Sequence, residues 1–268
     1  MRLGVVICAI LMAITASALA QDVPSEIRQF DIATLDKLGG AIYLQQRAYS
    51  RAYSALHANH SDDEMRQEKI QGWIEESRND GVVIRFIRMS DNGPEAAYDV
   101  RYATDDFERD APSISVPADR SLNADEKAQF SAHTLALKGI TQPCADGYYA
   151  AVLKDPKSDG WLAWAVAGSD NPNMVVTGGH FRLTISADGT KVLRRDALSR
   201  SCTVVSKITK GGNKLTALVA AQLVSNVPVE TLVFLNLVHR MHFFIMTPDS
   251  VMWEVTKGHI VKSSMVVH

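Results

Sequence analysis

The stretch VVIRFIRMSDNGPEAAYDVRY, residues 82–102, decides how this chain folds. Its first part, 82–89, is crowded with β-branched and aromatic side chains. Its last part alternates, with Tyr98, Val100 and Tyr102 on one side and Asp99 and Arg101 on the other. A period of two is the mark of a strand with one buried face. Between the two runs lies Ser90-Asp91-Asn92-Gly93-Pro94, a cluster of turn formers, so the pair predicts an antiparallel hairpin.

Toward the N-terminus the period changes. Ile32, Leu35, Leu38, Ile42, Tyr49, Tyr53 and Leu56 recur at three- and four-residue spacing, which predicts one long helix over 31–58 with an apolar stripe. Lys37, Gln45, Arg47 and Arg51 fall outside that stripe, and Gly39-Gly40 marks either a close helix contact or a kink. His60-Ser61-Asp62-Asp63 interrupts the pattern. Ser61 or Asp62 then caps a second expected helix ending near Asn79, with Ile70, Trp73 and Ile74 as its buried face.

Toward the C-terminus, residues 105–117 are acidic and proline-containing and read as a surface loop. Asn123 and Glu126 have the spacing of a capping box, which predicts a helix to about Lys138 that stops at Gly139. Beyond it come short apolar runs at 148–153, 161–167, 174–186, 191–198, 202–207, 217–224, 231–247, 251–255 and 259–262. Turn formers such as Asp155-Pro156, Asp170-Asn171-Pro172 and Asp188-Gly189 separate several of them. Close spacing predicts a mainly antiparallel sheet and no crossovers. The fold class expected is α+β: a helical segment over 21–80, then a β-rich domain over 81–268 with one helix near 123–138.

Residues 1–20 read as a secretory signal. Met1-Arg2 is a short positive start, an apolar run follows, and Ala18-Leu19-Ala20 offers small residues for cleavage before Gln21. This predicts export to the periplasm. Cys8 lies inside the apolar run and not at the cleavage position, which argues against lipidation. Cys144 and Cys202 remain, and in an oxidising compartment such a pair forms a bridge worth about 4 kcal/mol on the chain-entropy view. The alternative is a reactive thiol at Cys202. The formal charge of −2 leaves no basic excess for nucleic acid or an anionic membrane. The apolar run at 229–246 is broken by Glu230, Asn236, His239, Arg240 and His242, which predicts no stable membrane insertion.

Chemical motifs are sparse. On a strand His180 and Arg182 share a face, and Gly178-Gly179 before them leaves room for a close approach. Such a face binds a carboxylate or phosphate, or is a polar sheet face with a glycine bulge. Glu230 joins them as a carboxylate opening an apolar strand. His239 and His242 would share a face on a helix but not on a strand, so no metal is expected there. His57, His60, Asp62, Asp63 and Glu64 are the composition of a helix junction as much as of a cation site. Adjacent carboxylates, Glu75-Glu76 and Asp105-Asp106, are no acid–base pair. Gly211-Gly212-Asn213-Lys214 lacks the phosphate-loop frame, and no cofactor is expected. Trp161 and Trp164 point to opposite faces of a strand, as packing residues do.

Pro143-Cys144, Asp159-Gly160-Trp161, Gly178-Gly179-His180-Phe181-Arg182, Asp188-Gly189, Leu198-Ser199-Arg200-Ser201-Cys202, Val233-Phe234-Leu235 and Trp253-Glu254-Val255 follow one another in an order that resembles a group of uncharacterised exported proteobacterial proteins. The resemblance spans residues 122–262. It implies a Gram-negative envelope location and assigns no catalytic residue. Three functions follow as expectations. The first is non-catalytic binding of an envelope protein or small ligand. The second is a periplasmic hydrolase centred on His180 and Arg182, with Glu230 or Cys202 beside them. The third is an assembly subunit using the long N-terminal helix.

Overall fold

The computed structural model describes residues 26–78, 81–103, 111–140, 143–145, 147–209 and 211–264. The signal-like residues 1–20, the cleavage position and Asp105-Asp106 lie outside them. The class is α+β, as the sequence predicts.

Helix α1 runs unbroken over Ile32–Asn59, started by Asp31, whose side chain accepts from the Thr34 amide at 2.8 Å. Its stripe is internal. Leu35, Leu38 and Ile42 enter the C-terminal core, while Ala48, Ala52 and Leu56 enter a second core under the first sheet. One helix thus spans two cores, with Tyr49 and Tyr53 of its stripe left to line a cleft. Gly39 is a contact and not a kink: a Cβ there would stand 2.5 Å from the Val233 Cβ.

Ser61 caps the next helix in a full capping box with Glu64, but that helix, α2, covers only Asp62–Gln67. Lys69 then takes a left-handed φ of 50° and turns the chain. Ile70–Arg78 is strand β1, which corrects the helix expected up to residue 79. Both faces of β1 are covered. Trp73 packs toward α1, and Ile74 packs with Ile87 and Phe130 on the other side. A register shift between Ile70 and Gly72 adds to the three-and-four spacing. Neighbouring buried residues on a two-sided strand imitate a helix stripe.

β2 (Gly81–Ser90), β3 (Gly93–Tyr102) and the short β4 (Ser113–Ser115) complete an antiparallel sheet in the order β1-β2-β3-β4. The hairpin read from residues 82–102 is its centre. Helix α3, Ala124–Lys138, has the expected Asn123–Glu126 capping box. It packs between β1 and the next sheet. Arg85 of β2 bonds Asp99 at 2.7 and 2.8 Å and also Glu126, which fixes the start of α3 on the first sheet.

The second sheet is antiparallel, in the order β5 (Gly147–Lys154), β6 (Trp161–Gly168), β8 (Phe181–Ile185) and β9 (Val192–Ala197). β7 (Met174–Val176) and β10 (Val204–Ser206) form a separate ribbon. The third sheet runs β11 (Ala217–Ala221), β12 (His242–Met246), β13 (Met252–Thr256) and β14 (His259–Lys262).

The single strand expected over 231–247 is corrected here. Its first part is helix α4, Glu230–His239, which ends at Arg240 in the left-handed conformation before β12 begins. β11 pairs parallel to β12, so this is the one crossover in an otherwise antiparallel set. Thr231, Leu232, Val233, Phe234 and Leu235 are all buried, so α4 shows no polar face by which a helical period would be read. Asn236 fixes the helix exit by donating to the carbonyls of Met241 and Val255 at 2.6 and 3.0 Å. Among the described residues no helix is long and apolar enough to cross a membrane.

Candidate ligand-binding cleft

The structure brings Arg182 and Glu230 together, and it seals them. Glu230 opens α4 and not a strand, and it is fully buried. Arg182 on β8 is 1% exposed and reaches both Glu230 oxygens at 3.0 and 3.1 Å. It also reaches Asp196 at 2.9 Å and the Arg28 carbonyl. The Trp164 indole donates to Glu230 at 2.7 Å, and Arg28 grips Asp155 at 2.7 and 2.9 Å. With Arg194, which bonds Asp196 at 2.6 Å, three guanidinium groups face three carboxylates in a charge-balanced lock tying the segment before α1 to the second sheet and to α4. Removing one partner of a buried ion pair is costly; the lock's carboxylates are shut from solvent and open to no substrate, while the Arg182 Nε is buried without a hydrogen bond.

His180 stands apart from that lock. Its Nδ1 accepts from the Ala167 amide at 3.0 Å and its Nε2 donates to the Val176 carbonyl at 3.1 Å. Burial holds its pKa down to about 4, so the ring is a neutral staple between β6 and β7. The glycines before it have a packing reason. A Cβ on Gly178 would lie 2.0 Å from the Ser201 carbonyl oxygen. Gly179, at φ +79°, would place one 2.3 Å from the Cys144 Cβ. Cys144 and Cys202 lie at bonding distance, with Cα atoms 5.2 Å apart, which leaves no free thiol at Cys202.

His239 ends α4 and His242 begins β12, and no group of three metal-ligating side chains forms among the described residues. Trp161 bonds the Ala187 carbonyl and packs in the core under α3.

A roomy cavity lies elsewhere. It is a cleft of about 620 Å³ where α1, α2 and α3 meet β1 and β5. Both strands are sheet edges. Tyr49 of α1 stacks on Trp73 of β1 at 4.6 Å between ring centres, and Trp73 stacks on Tyr149 of β5 at 6.0 Å. Tyr53 and His57, one and two turns on from Tyr49, extend the wall toward the mouth with rings 4.2 Å apart. At the floor His133 of α3 meets the edge of Trp73 at 5.5 Å. Its side chain is buried, yet it makes no hydrogen bond to a described residue. Burial lowers its pKa to about 4, so at neutral pH it offers one donor and one acceptor and no charge.

The edge of β5 is part of this cleft. Gln45, expected on the polar side of α1, is buried and bonds both backbone groups of Val152, at 2.9 and 3.1 Å. Val152 therefore faces away from β6, and by alternation so do the backbone groups of Ala150 and Tyr148, which line the cleft. Lys69 and Arg66 stand exposed at the mouth beside Asp62, which faces His57 at 3.5 Å.

Sequence reasoning placed Tyr49, Tyr53 and Trp73 in apolar stripes and passed over His133. The available signal was the clustering of rings at the one junction where helix and strand periods collide. Comparison of the chain with protein families, curated proteins and solved structures finds no match, so the site rests on its geometry alone.

Proposed function

We propose that this is an exported, non-catalytic binding protein whose ligand seat is the aromatic cleft. The observation that carries the reading is His133: a buried imidazole without a hydrogen-bond partner among the described residues, on the floor of a 620 Å³ cavity walled by stacked rings. Apolar concave sites with a few placed polar groups are how proteins hold small molecules. The ligand class that fits is a flat ring system with one polar edge, lying along Tyr49, Trp73 and Tyr149 and bonding His133. Export to the periplasm is supported by the signal-like residues 1–20 and by a cysteine pair at bonding distance. The hydrolase alternative on His180, Arg182 and Glu230 gains no support from groups that are paired and closed to solvent.

The test is ligand-observed NMR with a set of bicyclic heteroaromatic fragments against the oxidised protein. Saturable binding that is lost in Tyr49→Ala, with folding retained, supports the reading. Binding unchanged by that substitution, or no binding across the set, overturns it.

A further inference from the structure

A second surface lies on the third sheet, away from the cleft. β11 is an edge strand, paired only with β12. The Thr216 carbonyl accepts from His242 N–H at 3.3 Å and the Gln222 N–H donates to the Met246 carbonyl at 2.8 Å. In a parallel ladder this turns the even-numbered residues of the segment toward β12. Ala217, Val219, Ala221 and Leu223 turn their backbone groups outward, where no described residue bonds them. Val219 is 71% exposed and Leu223 57%. Residues 215–229 carry no charge, and the strand has neither a bulge nor an internal proline. Natural edges are usually guarded by just those devices. This edge is open.

The edge also borders a groove of about 240 Å³. Leu232 and Ile245 form its apolar floor, and Ser199, Arg200 and Ser201 stand on the far wall. One charged group on the groove lacks a partner among the described residues; the Gln222 Nε2, also without a hydrogen bond, is sealed beneath it. Arg200 is exposed and makes no ion pair with a described residue. The far wall is fixed in place by the Cys144–Cys202 pair and by the packing of Gly178 on Ser201.

We propose that the free edge of β11 is a docking site for an extended segment of a partner protein, which adds as a fifth strand to the third sheet. Backbone pairing to residues 217–223 supplies the binding and alternate apolar side chains fill the groove, as in other strand-addition complexes. A carboxylate on the segment, from an acidic side chain or the chain end, meets Arg200. The exposed cation of Arg200 favours a carboxylate-bearing strand over a second copy of β11, whose own segment carries no carboxylate to offer it.

The experiment uses the full oxidised protein and a synthetic octapeptide pool. Val, Leu or Ile alternates with Thr or Ser, and the C-terminal carboxylate is free. Two control pools are used, one amidated and one N-methylated at alternate residues so that it cannot pair. Binding is read by fluorescence anisotropy, and hydrogen exchange locates it. The expected result is saturable binding that protects the amides of Val219, Ala221 and Leu223. N-methylation should weaken it by about tenfold or more, and amidation by about tenfold in the wild type but not in Arg200→Ala. Arg200 is exposed, so that variant keeps the fold.

The proposal is overturned by no saturable binding, by equal binding of the N-methylated pool, or by protection that appears at the aromatic cleft instead. It also falls if sedimentation shows a dimer whose 219, 221 and 223 amides are already protected, since the occupant is then a second copy.

Discussion

The lock around Arg182 and the cleft beside Trp73 are built from opposite materials, and their accounts come out opposite as well. The lock is made of charges, the groups that sequence reading associates with chemistry. It holds three guanidinium groups, of Arg28, Arg182 and Arg194, against the carboxylates of Asp155, Asp196 and Glu230, with Arg182 and all three carboxylates out of solvent. The cleft is made of rings, which sequence reading assigns to packing. Yet it is the cleft that keeps a cavity and a histidine with nothing to bond. Residue type therefore says less about function here than whether an unpaired polar group faces a cavity, as His133 does, or is sealed from one, as the Arg182 Nε is.

The sharpest way to break this contrast is to remove the centre of the lock. Glu230→Ala leaves Arg182 buried without its main partner and should cost about 3–5 kcal/mol, read from urea denaturation. Glu230→Gln keeps the shape and an acceptor and should cost less. A loss below about 1 kcal/mol for the alanine variant would mean the site opens to water, and the lock would have to be reconsidered as a functional site.

Next in size is the bridge. Reduction, or Cys144→Ser with Cys202→Ser, should lower stability by about 2–4 kcal/mol. It should also leave the cleft's aromatic stacking unchanged by near-UV circular dichroism, because Cys144 reaches the cleft only through the Tyr148 hydroxyl, which accepts from its amide at 2.8 Å.

Acid should act on the cleft and on the His180 staple at once. His133 in the cleft and His180 beside β6 are each held by burial near a pKa of about 4, against 6.5 for the free side chain. Their folded pKa values lie below the unfolded ones, so the unfolded chain takes up protons first. Their contribution should be level above pH 6.5, turn destabilising as the pH falls from about 6.5 to about 4, and level off below that. His133→Phe should flatten part of this slope in a pH series of thermal melts. A slope unchanged in that variant would show that His133 is accessible enough to titrate normally.

The smallest expected change in stability comes from the cleft wall. Tyr53 is 45% exposed, so Tyr53→Ala should alter stability by no more than about 0.5 kcal/mol. It should nevertheless weaken binding of bicyclic heteroaromatic fragments in titrations.

Much of the fold was legible where local chemistry decides it. The Asn123–Glu126 and Ser61–Glu64 boxes start helices, residues 82–102 form the central hairpin, and the two cysteines meet. What failed to read was whatever tertiary contact decides. β1 looked helical because both its faces are covered, and α4 looked like a strand because it is apolar all round. Gln45 looked like a surface residue because its partner, the edge of β5, lies 107 residues away. The cleft was hidden for the same reason. Its rings come from Tyr49, Trp73, His133 and Tyr149, which only the stacking of two sheets around α3 brings together.

One spectrum tests the central claim most directly. The chain has four tryptophans, and an ¹⁵N-resolved spectrum of their indole groups reports each region separately. Trp73 lies in the cleft, Trp164 is bonded into the lock, and Trp161 and Trp253 are bonded to Ala187 and Thr247. On titration with a heteroaromatic fragment that binds, the account predicts that the Trp73 signal moves in a saturable way while that of Trp164 stays fixed and exchanges slowly with solvent. Movement of Trp164 with Trp73 unchanged would place the ligand at Arg182 and Glu230 and contradict it.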